Sequence, residues 1–291
     1  MGKTLYENDG DARFIFDRAE DVLGMPLRQI IFEGPEETLK QTQYAQLAIF
    51  IVSTAVSKVL SSMGLAPDLV AGHSLGEYSA LVATGALQFD NALRLVRDRA
   101  NSMQEACATN PGTMCAILGL DEQAVAEACA SVKDGIVDVA NLNAPGQVVI
   151  SGQPEAVRVA ADEAKKRGAK RAVPLPVSGA FHSRLMRPAA ERFGPSVRAA
   201  SVSRPASGFF PNVSAVLTED PQRIRDNLLA QVCSPVRWQS TIEQMRKLGA
   251  DTFIEVGPGN VLTGLLKRID GSAVGLTTDA PDSFEIIART H

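Results

Sequence analysis

The chain has 291 residues, 45% hydrophobic and 21% charged, with a formal net charge of −4. That length supports a large core with room for a smaller inserted unit, and a mean hydropathy of +0.01 is an ordinary globular balance. The mildly acidic composition gives no reason to expect a nucleic-acid partner or an anionic membrane. The four cysteines, Cys107, Cys115, Cys129 and Cys233, lack CxxC spacing and a histidine placed for zinc, so reduced thiols in a cytoplasmic protein are expected. The most apolar stretch, Ala45 to Val56, is shorter than a membrane span. The opening residues read neither as a charged-then-apolar leader nor as a myristoylation signal, because position 6 is Tyr6.

In chain order, residues 10–32 read as an amphipathic helix carrying Phe14, Phe16, Ala19, Val22 and Leu23, broken at Glu33-Gly34-Pro35. A second helix is expected from Gln43 to Met63, closed by Gly64. Pro67 to Gly72 is a short apolar strand, followed by helices over Glu77–Ala83 and Phe89–Cys107. Between residues 112 and 177 the rhythm becomes β-α-β-β-α-β. It comprises Thr113–Leu120, Asp121–Ser131, Val137–Leu142, Gln147–Ser151, Glu155–Lys166 and Lys170–Leu175. That order predicts a ferredoxin-like subdomain over 112–177, inserted into an α/β core formed by 1–111 and 178–291. The core resumes with a strand over Phe209–Ser214, helices over Asp220–Gln231 and Pro235–Leu248, a strand over Thr252–Val256 and a helix over Val261–Arg268.

Gly72-His73-Ser74-Leu75-Gly76 fits G-x-S-x-G, with an apolar strand before it and a helix after it. A nucleophile on such a turn is lifted clear of the sheet, and the first amides of the following helix face the reacting carbonyl. Ser74 needs a base, and the chain offers three histidines. His291 is the last residue, and His73 sits on the elbow itself, where its side chain is expected to point away from the Ser74 hydroxyl. His182, in Ser178-Gly179-Ala180-Phe181-His182-Ser183, is therefore the candidate base.

Four blocks taken together resemble malonyl-CoA:acyl carrier protein transacylases of fatty acid and polyketide synthesis. They are Ala71 to Ala80, Asn143 to Gly152, Phe181-His182-Ser183 with Met186, and Glu255-Val256-Gly257-Pro258-Gly259. The resemblance spans nearly the whole chain. It implies an α/β-hydrolase-like core with a parallel sheet, and ping-pong transfer of a malonyl group through a malonyl-serine. Malonyl-CoA and acyl carrier protein would be the partners, with no metal and no bound cofactor. It also implies that Arg99, in the segment Arg97 to Gln104 that includes Met103, holds the malonyl carboxylate, since a guanidinium grips a carboxylate with two parallel hydrogen bonds. Read without the family, Arg94, Arg97 and Arg99 are a solvated basic helix face.

The same resemblance has the backbone carbonyl of Gln231 orient His182 in place of an acid, with the Gln231 side chain of little consequence, and has the Leu75 amide donate to the oxyanion. Asn143 and His73 would line the site, although Asn143 before Ala144-Pro145-Gly146 also suits a plain turn. Phe181 before the base resembles malonyl-specific members; a phenyl ring leaves little room for an α-methyl group, a discrimination of roughly 1–3 kcal/mol.

Two departures from the family pattern stand out. Members begin with a strand ending in Gly-Gln-Gly-Ser, whose glutamine amide is a second oxyanion donor, whereas Met1 to Asn8 resemble the segment after it. The expectation is a single oxyanion donor and an open edge on the strand before Ser74. Leu47 stands where the family tends to have proline. The elbow by itself also fits a serine hydrolase, which expects an Asp ahead of the His and no ferredoxin-like insert. The shortened opening fits a non-catalytic domain that docks synthase partners.

Overall fold

A computed structural model describes residues 1–177, 179–280 and 283–290; Ser178 and His291, both named above, lie outside the described residues. The chain opens with helices α1 (Lys3–Asn8), α2 (Gly10–Leu23), α3 (Leu27–Glu33), α4 (Glu36–Leu39) and α5 (Thr42–Ser62). The single helix expected over residues 10–32 is two, because Gly24 takes φ 63° and caps α2, and Pro26 follows. α5 is long and apolar enough to cross a membrane by length and composition, contrary to the shorter stretch read from the sequence, yet 67% of that stretch is buried inside the protein. It is a core helix. Phe50, Ile51 and Ala55 are wholly buried, and the helix packs against α2 and against α7 (below).

β1 (Leu69–Ala71), α6 (Gly76–Ala83) and α7 (Phe89–Thr109) then form the strand–elbow–helix unit. The small subdomain follows: β2 (Thr113–Leu118), α8 (Glu122–Ala130), β3 (Val137–Ala144), β4 (Gln147–Gly152), α9 (Pro154–Lys166) and β5 (Arg171–Pro174). Its sheet runs β3-β4-β2-β5 with every pair antiparallel, which is ferredoxin-like topology. Ile117, Val125, Val148, Ile150, Val157 and Ala160 pack between this sheet and its two helices as a separate core.

After a 3₁₀ turn at Arg184–Met186 come α10 (Arg187–Ala199), β6 (Gly208–Phe210), α11 (Pro221–Gln231), α12 (Trp238–Lys247), β7 (Thr252–Glu255), α13 (Val261–Ile269), β8 (Val274–Thr277) and α14 (Ser283–Thr290). The core strands are parallel, paired as β1 with β6 and β7 with β8. Among the described residues β1 has a strand partner on one side only. β6 is shorter than the strand expected over Phe209–Ser214. Pro211 has no N–H to continue the ladder, so the chain turns and leaves Asn212 to bond elsewhere. The small sheet is stitched to the core by Leu142 N–H to the Val236 carbonyl (2.8 Å) and Val236 N–H to the Ala140 carbonyl (2.9 Å). This connection sets the end of β3, and with it Asn143, over the elbow.

Candidate active site

The elbow is built by one obligatory glycine. A Cβ on Gly72 would lie 1.9 Å from the carbonyl carbon of Gly76, so the turn closes only without a side chain there; Gly76 itself has open space around it. Between them Ser74 is forced to φ 52°, a left-handed conformation that costs a serine energy and is held by its surroundings. The holder is Asn212. Its Oδ1 accepts from the Ser74 N–H at 2.7 Å and its Nδ2 donates to the Gly72 carbonyl at 2.6 Å, so one buried amide bridges both arms of the turn. The Ser74 N–H is taken, whereas the Leu75 N–H, next to the nucleophile, meets no acceptor among the described residues and is available to a developing oxyanion.

His182 reaches the same point from the segment after the small subdomain, also at positive φ (60°). Its Nε2 lies 2.8 Å from Ser74 Oγ and its Nδ1 lies 2.9 Å from the Gln231 carbonyl oxygen. Gln231 ends α11, so its carbonyl takes no i+4 helical N–H; it accepts a long bond from the Ser234 N–H (3.3 Å) and has a lone pair left for His182. The bond places the proton on Nδ1 and leaves the Nε2 lone pair facing the serine, which is the tautomer a general base needs. Burial, reinforced by the Arg99 charge, pushes the His182 imidazole down to about 3, so it stays neutral across the physiological range.

Arg99 lies on the buried face of α7, in step with Leu95, Val96, Met103 and Ala106, and is 1% exposed. The solvated-face reading therefore holds for exposed Arg94 and not for Arg99. Its Nη2 donates to Ser74 Oγ (2.9 Å) and to Gln231 Oε1 (2.8 Å), and its Nη1 to Gln46 Oε1 (2.5 Å). Its Nε meets no acceptor, and no carboxylate pairs with it among the described residues. Tyr78 lies under the guanidinium, 5.8 Å from ring centroid to carbon. Burial draws this arginine down from its ordinary value, but a guanidinium begins so high that it remains a cation.

The remaining residues named from the sequence gather around this centre with different contacts. Met103 is buried behind Gln46, whose Nε2 donates to its sulfur at 3.6 Å. His73 points away from Ser74 Oγ, pairs with Asn143 Oδ1 at 3.0 Å, and leans on Trp238. Phe181 packs beside Gly179, where a Cβ would meet its ring at 2.7 Å. The Gln231 side chain matters more than the sequence suggested. It is wholly buried, and its Nε2 donates to the Ser74 carbonyl (2.9 Å) and to Glu77 Oε2 (2.5 Å). Gln46, Glu77 and Asn212 escaped the sequence reading, because each acts by a contact more than fifty residues away. The place of Glu77 immediately after the elbow motif was the one available signal.

The arrangement is an activated serine hydroxyl flanked by a neutral imidazole, a free backbone donor and a buried cation. Comparison with known proteins places the chain in a family. The acyl transferase domain family matches residues 1–276. The malonyl CoA-acyl carrier protein transacylase of Bacillus subtilis is 43% identical over 292 aligned positions, covering 100% of this chain and 92% of that protein. The enzyme of the same name from Escherichia coli K12 is 41% identical, covering 92% of this chain and 88% of its own length. Among solved structures, the acyl-carrier-protein-S-malonyltransferase from Bartonella henselae superposes with a TM-score of 0.95 at 43% identity, covering 100% of this chain and 94% of that one. A malonyl-transacylase in complex with a type II PKS acyl-carrier protein superposes with a TM-score of 0.96 at 39% identity, covering 100% and 95%. With the family matched over residues 1–276, and sequence relatives and solved structures alike along the chain, this protein belongs to the acyl transferase family, among the malonyl-CoA:acyl carrier protein transacylases.

Proposed function

We propose that this chain moves the malonyl group of malonyl-CoA onto the phosphopantetheine thiol of an acyl carrier protein, through a malonyl ester of Ser74. The observation that carries the reading is Arg99, a buried cation 2.9 Å from the Ser74 hydroxyl with amide acceptors but no carboxylate partner among the described residues. An acyl group ending in a carboxylate satisfies that cation, and an uncharged acyl group does not.

In the first half-reaction His182 Nε2 takes the Ser74 proton as Oγ attacks the thioester carbon. The Leu75 N–H receives the developing oxyanion. The C–S bond then breaks, and His182 returns its proton to the departing coenzyme A sulfur. In the second half-reaction the carrier thiol gives its proton to His182 and attacks the malonyl-serine, and the C–O bond breaks as Oγ regains the proton. The Gln231 carbonyl stabilises the transient imidazolium through Nδ1–H, at the negative end of α11. Phe181, Asn143 and His73 wall the acyl pocket, and Phe181 disfavours an α-methyl group. The chemistry needs no metal or bound cofactor. The four free thiols suit a reducing, cytoplasmic setting.

Intact-mass measurement tests this directly. Malonyl-CoA alone is expected to add one malonyl mass, and holo-carrier protein then to remove it and carry it. Steady loss of the adduct to water at the same rate without carrier would favour a hydrolase, and no adduct at all would favour a docking domain.

The depressed His182 value gives a second expected result. A base must be neutral to act, and a base whose value is lowered loses activity only when the pH falls towards that lowered value. Acylation is therefore expected to stay level from about pH 8 down to about pH 5, well below the ordinary histidine value of about 6.5. A half-maximal rate near that ordinary value would show that His182 is solvated during catalysis.

A further inference from the structure

Two amide oxygens hold the Arg99 guanidinium, those of Gln46 and Gln231. A primary amide can present either end to a neighbour, and only the oxygen end accepts from a guanidinium. Something must therefore fix which end faces Arg99. For Gln46 the Met103 sulfur receives the NH₂ end. For Gln231 the NH₂ end is held by two acceptors, the Ser74 carbonyl and Glu77 Oε2.

Glu77 has no exposed surface and lies in the first turn of α6; its second oxygen accepts the backbone N–H of Asn212. Among the described residues it forms no ion pair within hydrogen-bonding reach and touches neither Ser74 Oγ nor His182. A buried acid spent on two neutral donors is costly unless its charge is used.

We propose that Glu77 is a positioning residue for acyl-group selection: its carboxylate locks the Gln231 amide with oxygen towards Arg99 and so fixes the guanidinium in front of Ser74. The pattern has one self-consistent solution. Arg99 only donates and the Ser74 carbonyl only accepts, so Gln231 must place Oε1 on the first and Nε2 on the second, and the second Nε2 hydrogen then meets Glu77. Burial pushes the Glu77 carboxyl up to about 8 even with the Asn212 N–H, the Arg99 charge and the Gln231 amide drawing it down, and both of its oxygens accept from N–H donors, as the ionised form does. A glutamine at position 77 would face the Gln231 NH₂ with its own NH₂. The Gln231 amide would lose the acceptor for its second Nε2 hydrogen, and the donor–donor contact would push it off the Ser74 carbonyl and shift the guanidinium that its oxygen holds.

The inference rests on the reading that Arg99 receives the acyl carboxylate, and the experiment separates the two. Single-turnover acylation of the full chain by malonyl-CoA and by acetyl-CoA is measured for wild type, E77Q, Q231L, E77Q/Q231L and R99A. Q231L removes the side-chain amide and keeps the backbone carbonyl that serves His182. E77Q is expected to lower the malonyl-to-acetyl ratio about tenfold, Q231L to lower it similarly, and the double variant to match Q231L, because Glu77 acts only through that amide. Equal slowing of both substrates in E77Q, an unchanged ratio, or multiplying losses in the double variant would each overturn the proposal. If E77Q fails to fold, Q231L decides, and a wild-type ratio there overturns it. A wild-type ratio in R99A refutes the Arg99 reading itself, whereas loss of the ratio in R99A alone refutes only the role of Glu77.

Discussion

Ser74→Ala is expected to abolish the acyl-enzyme, and His182→Ala to slow its formation by at least roughly 10⁴-fold. A serine hydroxyl is a weak nucleophile at neutral pH, and among the described residues its proton has one basic acceptor in reach, Nε2 at 2.8 Å. Without the imidazole, attack must proceed from a neutral hydroxyl that Arg99 Nη2 also contacts, and the guanidinium cannot accept a proton. The two residues act as one unit, so the double variant is expected to be no slower than Ser74→Ala alone. Quenched-flow acylation with mass detection checks this. A persistent adduct in Ser74→Ala, mapped to Cys107 or another thiol, would remove Ser74 from the mechanism; a double variant slower than either single one would mean that His182 acts elsewhere.

Arg99→Ala is expected to change selectivity by at least about a hundredfold in favour of acetyl over malonyl loading. The wild-type pocket offers a charged, dry partner to a carboxylate, since Arg99 is 1% exposed. Removing it strands the malonyl carboxylate at a cost of roughly 3 kcal/mol, which is about two decades in rate. An acetyl group has no carboxylate to strand. Its loading falls only as far as Gln46 and Gln231, each losing a donor, disturb Ser74. Competing the two thioesters for one enzyme sample reads the ratio directly. Equal slowing would make Arg99 a structural support and would remove the basis for selecting a carboxylated acyl group.

The elements lost to sequence reading share a cause. α10 carries Gly194 and Pro195 inside it, which argue against a helix locally, yet Ala189, Phe193 and Val197 keep helical spacing and bury against α7. Tertiary burial overrode propensity there. The same spacing argument, applied to α7, would have placed Arg99 among Leu95, Val96 and Met103 and marked it as a buried charge without any family resemblance. β8 and α14 are short, and they form because β7 and the core offer a surface to pair with and cover.

By itself, then, the sequence determined the strand–elbow–helix unit, the β-α-β-β-α-β subdomain and the pair Ser74 and His182. Each is written in local signals: a glycine demanded by a sharp turn, apolar periodicity, and a shortage of histidines. Only the tertiary structure decided what surrounds that pair. Asn212 on the elbow, Gln46 and Gln231 on Arg99, and Glu77 behind Gln231 meet across 53 to 154 residues of chain. Their identities follow no local rule. They are buried polar groups, and each is satisfied by the partner that folding brings to it.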